Sequence, residues 1–246
     1  MDLSNLLILP QNSISLGLSS FQAKFIQCFV DDNRYQYLLK GLGSTLLITL
    51  FAVLLGVILG FLVAIIRSTY DKTGKLKVLN AICNVYLTVI RGTPVMVQLL
   101  IMYYVIFATA PVTKIVVAIL SFGINSGAYV AEIVRSGIMS IDQGQFEAGR
   151  SLGFSYSSTM VYIIMPQAFK NVLPALANEF IVLLKETSIC GYIGLMDLTR
   201  GGDIIRSVTY EAFLPLIAVA LVYLCMVMIL TALVKKLERR LRSSER

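Results

Sequence analysis

The chain has 246 residues, 57% of them hydrophobic and 14% charged, with a formal net charge of +7. Soluble domains are about 45–50% apolar and about 25% charged, so water is not the main solvent of this surface. The same figures exclude a disordered chain, a collagen repeat and a disulfide scaffold.

Residues 1–41 read as an exterior or interfacial segment. No basic stretch precedes Leu6-Leu7-Ile8-Leu9 and no A-x-A site follows, so a signal peptide is not expected there. Leu42 to Ile66 is a first span, bounded by Lys40 and Arg67. Its length of about 37 Å at 1.5 Å per residue covers about 30 Å of hydrocarbon with some tilt. Leu76 to Ile90 is shorter, holds Asn80 and Asn84, and reads as an interfacial helix leading into a second span from about Pro94 to Ala110. Three more spans follow, at about Ile115–Ile138, Leu173–Leu195 and Phe213–Val234, with a basic tail over residues 235–246. The expected fold is all-α and polytopic, with five transmembrane helices (six as the alternative) in one membrane domain over residues 42–234. With the N-terminus outside, thirteen Lys and Arg fall on interior segments and six on exterior ones, so the positive-inside rule favours N-out and C-in. The tail reads as an inner-leaflet lipid anchor, not a nucleic-acid site.

Residue inventory removes most chemistry. There is no His, and Cys28, Cys83, Cys190 and Cys225 are scattered without a C-x-x-C. Zinc triads, Ser-His-Asp catalysis and haem ligation through His are therefore excluded. No G-x-x-x-x-G-K-[ST] loop is present, so ATP phosphates cannot be cradled that way.

One connection is too long for a passive bundle. Residues 139–172 separate spans three and four on the inferred cytoplasmic side, and loops of that length in a compact domain usually carry function. Gln145 to Leu152 has helical spacing, Gly153 breaks it, Ser155 can cap a second helix toward Ile164, and Pro166 is expected to end that helix. Two short helices bent at a glycine make a docking knob for another protein.

Glu147-Ala148-Gly149, followed by Gly153, Ile163 and Pro166, resembles the EAA loop of ATP-binding-cassette importer permeases, with Gly149 in place of the second Ala. Arg91-Gly92-Thr93-Pro94, Gln98, Gly127-Ala128-Tyr129-Val130-Ala131-Glu132, Arg135, Pro174, Asn178 and Lys185-Glu186-Thr187-Ser188 resemble the polar amino-acid branch of those permeases. The likeness runs from about Gly41 into span five. It implies a permease subunit of an importer for polar amino acids (His, Glu, Gln, Arg or opines) in a bacterial cytoplasmic membrane. The implied partners are two ATPase subunits that hold Mg-ATP and grip the Glu147–Pro166 loop, a second permease copy or paralogue, and an extracytoplasmic substrate-binding protein. The chain itself needs no cofactor or metal and catalyses nothing. A permease for another small solute, or an ion-coupled secondary carrier, is the alternative, but no inverted repeat supports a carrier. A membrane-embedded enzyme lacks a nucleophile–base pair.

Ionisable groups within spans are costly and usually face a polar cavity or a partner. Asn125, Tyr129, Glu132 and Ser136 share one face of span three. Lys185, Asn125 and Thr187 are candidates for holding a substrate carboxylate; Glu186 or Glu132 for an ammonium; Tyr129 sits among them. The rival reading is structural: Glu132 with Arg135, and Lys185 with Glu186, are paired charges. Arg91, Glu132, Arg135 and Asn178 are assigned to gating or helix register.

Overall fold

The computed structural model describes residues 20–243; what was expected of residues 1–19 and 244–246 lies outside it. Among the described residues the chain is helical with no strand. A helix over residues 20–25 (α1) passes through a π-turn, Ile26–Val30, and a 3-10 turn, Asp31–Asn33, into α2, Tyr35–Thr73. The first span thus begins before Leu42, because Tyr35 to Gly41 contain no helix breaker strong enough to stop it. Gly74 ends α2 in a left-handed turn (φ +68°), its N–H reaching the Tyr70 carbonyl at 2.8 Å.

Helix α3, Lys77–Gly92, buries Asn80, Cys83 and Leu87 on one side. At Thr93-Pro94 the chain turns by 108° into α4, Val95–Ile101, and a π-turn, Met102–Ile106. Proline drives the residue before it into extended backbone, and Thr93 obeys with φ −123° and ψ 145°. The interfacial helix and second span form this bent pair. With Tyr35–Asp71, Lys114–Met139, Tyr156–Ile193 and Phe213–Leu241 it brings the candidate spans to five.

Helix α5, Lys114–Met139, is the centre of the bundle: 61% of its most apolar stretch is buried, against 6% in α10, Phe213–Ser243. Small residues bring α2 and α5 close. A Cβ at Gly60 would lie 2.4 Å from Cγ1 of Val130, and one at Gly56 2.8 Å from Cβ of Ser126. The remaining elements are α6, Gln143–Ser151; α7, Tyr156–Thr159; a π-turn, Met160–Ile164; α8, Met165–Glu186; a 3-10 turn, Thr187–Ile193; and α9, Leu198–Thr209.

Pro166 does not end a helix. It sits in the first turn of α8, where a missing N–H costs little, and the π-turn before it carries helical backbone through from α7. Span four is therefore a continuous helical run beginning inside the loop, not at Leu173. At the other end, α9 seats on α2. Asp197 caps it by accepting from the N–H groups of Thr199 (3.3 Å) and Arg200 (3.2 Å), and Leu198 N–H donates to Thr45 Oγ1 at 3.1 Å. A Cβ at Gly41 would lie 2.4 Å from the Asp197 carbonyl oxygen.

Candidate functional site

The loop between α5 and α8 folds as a knob. Asp142 caps α6, its Oδ1 accepting from Gly144 N–H at 2.6 Å. The helix stops at Gly153, whose φ of +81° is left-handed; Gly153 N–H reaches Arg150 O at 2.9 Å and Phe154 N–H reaches Gly149 O at 3.1 Å. This closes the end of α6 with a glycine where a Cβ is disfavoured. Ser155 then caps α7, accepting from Ser158 N–H at 3.2 Å. The expected bend and cap are both present.

Gly149 is the pivot of the knob. It is buried, and a Cβ there would lie 2.7 Å from Cγ2 of Thr159 and 3.0 Å from Cδ1 of Ile163. Helix α6 therefore lies flush on the Met160–Ile164 turn, with Glu147 and Ala148 on its outer side. Leu152, Phe154, Val161 and Tyr162 are also exposed, 76% and 74% of the first and last. Underneath, Ile164, Ala168 and Val172 pack with Val130, Val134 and Ile138, so any push on the knob is delivered to α5 and α8.

Above the loop, charges join α2 to α5. Glu132 accepts from Arg67 at 3.0 Å and has Arg91 at 3.5 Å; Arg135 reaches Asp71 at 3.4 Å. The expected Glu132–Arg135 pair does not form. About one turn apart on α5, the two residues each turn to an opposite charge on α2, where Arg67 and Asp71 are likewise one turn apart, at a spacing of four residues against three. Arg91 also lies over the Tyr129 ring, 5.8 Å from its centroid, which fixes α3 to the same junction.

Beside this clasp a cavity of about 600 Å³ opens between α5 and α8, lined by Tyr129, Glu132, Ser136, Asn171, Ala175 and Glu179 among others. Three of the four residues assigned to one face of span three, Tyr129, Glu132 and Ser136, reach it. Asn125 is buried instead, donating to Gln98 Oε1 at 2.9 Å while Gln98 donates to the carbonyls of Ile90 and Thr93. It props the bend between α3 and α4. Thr187 is likewise buried, donating to Leu184 O at 2.8 Å.

Lys185 and Asn178 are exposed and make no hydrogen bond or ion pair among the described residues; Glu186 is half-buried beside them. Lys185 and Glu186 do not form an ion pair. Asn171, Asn178 and Lys185 stand seven residues apart, one open polar stripe along α8. The sequence reading also missed Glu179 as a site residue: its Oε1 accepts from Ser126 at 2.8 Å, and both residues are buried. Polar residues on two neighbouring spans were the available signal.

Residues 56–243 match the family described as "Binding-protein-dependent transport system inner membrane component". The chain belongs to that family. It is a multi-pass permease subunit of an inner-membrane transport system. It is 38% identical over 207 residues to the putative glutamine transport system permease protein GlnP of Rickettsia typhi, covering 83% of this chain and 93% of that one. It is 38% identical over 212 residues to the arginine transport system permease protein ArtQ of Bacillus subtilis, covering 85% and 94%. Among solved structures it resembles an amino acid ABC transporter crystallised with histidines, at 43% identity and a TM-score of 0.79, over 86% of this chain and 98% of that one. The MetNI methionine ABC transporter shares the fold, with a TM-score of 0.70 at 19% identity.

Proposed function

We propose that this chain translocates polar amino acids, as half of a two-permease pathway driven by two separate ATPase subunits and loaded by an extracytoplasmic binding protein. One observation carries the reading. The polar stripe Asn171–Asn178–Lys185 runs along a membrane-spanning helix, Asn178 and Lys185 make no hydrogen bond or ion pair among the described residues, and hydrocarbon cannot solvate them. A second permease, copy or paralogue, closing over a wet pathway supplies the missing environment. The relatives named for glutamine and arginine transport support an amino-acid cargo.

The division of labour follows from the chain's chemistry. It has no phosphate loop, so hydrolysis belongs to the partners, and the knob built on Gly149 and Gly153 is where they seat. Glu147, Ala148, Ile163 and Pro166 belong to that contact surface. Lys185 and Tyr129 face the pathway, and the carboxylate of the cargo meets Lys185. Asn125 and Thr187 support the walls, and Glu186 stands beside the same route. The N-out, C-in orientation places the knob with the ATPases and α9 with the binding protein.

The test is reconstitution. The chain is co-expressed with an ATPase and a binding protein of the same transport family from its own organism, and proteoliposomes are assayed for uptake of labelled L-glutamine and L-arginine. Uptake that needs internal ATP and the binding protein is expected. Uptake by this chain alone, without nucleotide, refutes the reading.

A further inference from the structure

Resting on that reading, we infer that Glu179 is the residue of the pathway wall that holds the ammonium group of the amino-acid cargo, with Ser126 aiming it. Glu179 lies inside the membrane-spanning run Tyr156–Ile193, fourteen residues before its end, which places it about 25 Å along the helix from that end, within the hydrocarbon. It is 8% exposed, yet it borders the 600 Å³ cavity. A carboxylate at this depth is costly unless a counter-charge or a set of donors compensates it. Glu132, the other acid on the cavity wall, has Arg67 and Arg91. Glu179 has no cation within ion-pairing distance among the described residues, and its single side-chain donor is the Ser126 hydroxyl on Oε1.

That one bond occupies Oε1, holds the side chain, and leaves Oε2 without a side-chain donor among the described residues, on a residue that borders the cavity. Ser126 is itself immobile: it is fully buried, and the backbone of Gly56 passes so near that a Cβ at that position would lie 2.8 Å from its Oγ. The carboxylate is thus pre-positioned and uncompensated, with room beside it. A primary ammonium supplies both the positive charge and the three N–H donors that an open carboxylate oxygen accepts. Every α-amino acid carries the ammonium, so the site serves the shared end of the cargo and leaves the side chain to be read elsewhere.

Glu179→Gln keeps the size and the acceptor for Ser126 but removes the charge; Ser126→Ala keeps the charge but frees the carboxylate. The full transporter, with its ATPase and binding protein, is purified in each form, and matched size-exclusion profiles establish assembly. Equilibrium binding of L-arginine and L-glutamine to the transporter, and uptake at saturating loaded binding protein, are then measured. Glu179→Gln is expected to weaken both ligands by about tenfold or more, as expected for removal of one member of a buried charge pair. Glu179→Asp should recover part of that loss, and Ser126→Ala should fall between wild type and Glu179→Gln. Unchanged binding and uptake in Glu179→Gln overturns the inference, and so does a loss confined to L-arginine, which would point to its guanidinium. Failure of wild-type uptake for both amino acids instead counts against the amino-acid reading itself.

Discussion

Replacing Glu132 with Gln removes the only anion that, among the described residues, faces both Arg67 and Arg91, and the geometry sets how much this costs. At the Arg67 distance of 3.0 Å, a gross attraction of about 5 kcal/mol follows for an effective dielectric near 20. Desolvation takes back much of it. The side chains are 17% and 30% exposed, between surface pairs worth about 0–1 kcal/mol and buried pairs whose disruption costs about 3–5. The net loss for Glu132→Gln is therefore about 2 kcal/mol, since two guanidinium groups remain with no facing acid. Arg67→Met is milder, about 1 kcal/mol, because Glu132 keeps Arg91. The double variant should be no worse than Glu132→Gln alone, since it discards the stranded cation too. Thermal unfolding of the purified complex reads this as a drop of about 4–8 °C for Glu132→Gln. Equal effects of the two single variants, or strictly additive losses in the double, would refute the charge accounting.

Three further outcomes follow from the packing and the caps. Gly149→Ala places a methyl 2.7 Å from Thr159 Cγ2; it should strain α6 by about 1–3 kcal/mol and lower ATP-driven uptake, with partial rescue by Thr159→Ala. Gly60→Ala drives its Cβ to 2.4 Å from Val130 Cγ1, and should lower the melting temperature unless Val130→Ala accompanies it. Asp197 is buried under α9, and burial pushes its carboxyl up to about 6 despite the backbone N–H bonds that pull it down. The folded state then binds a proton more tightly than the unfolded chain, so this group's stabilisation is complete below about pH 4 and is lost as pH rises through about 6. Melting temperatures from pH 4 to 7.5 should show that decline in the wild type and not in Asp197→Asn.

Apolar length and glycine position carried the spans, because a bilayer imposes one crude requirement that any stretch of about twenty residues either meets or fails. The knob was readable for a different reason: Gly153, Ser155 and the Glu147–Gly149 run are local signals, each acting within a few residues. What escaped was whatever depends on a distant partner. Helix α9 was passed over as an exterior segment, although Leu198, Gly201, Gly202, Ile205 and Thr209 are its buried positions and already repeat at helical spacing. Arg67 looked like a span terminus rather than, with Asp71, the opposite half of a clasp. Pro166 looked like a stop because proline acts differently in the first turn of a helix than in its interior, and which turn it occupied depended on the π-turn before it.

On the proposed function, the same contrast accounts for how force would cross the chain. Knob, clasp and cavity share α5 and α8, and the apolar layer of Ile164, Ala168 and Val172 against Val130, Val134 and Ile138 has no slack to absorb a displacement of α6. Glu132 is at once the clasp's acid and a cavity wall residue, so a shift of α5 against α2 alters the charge that lines the pathway. Glu132 lies between two cations, Arg67 at 3.0 Å and Arg91 at 3.5 Å, so a small displacement of α5 redistributes its pairing. Movement at the knob then changes pathway geometry and pathway electrostatics in a single step, and variants at Gly149 and at Glu132 should damage coupling in the same way although only one of them touches the loop.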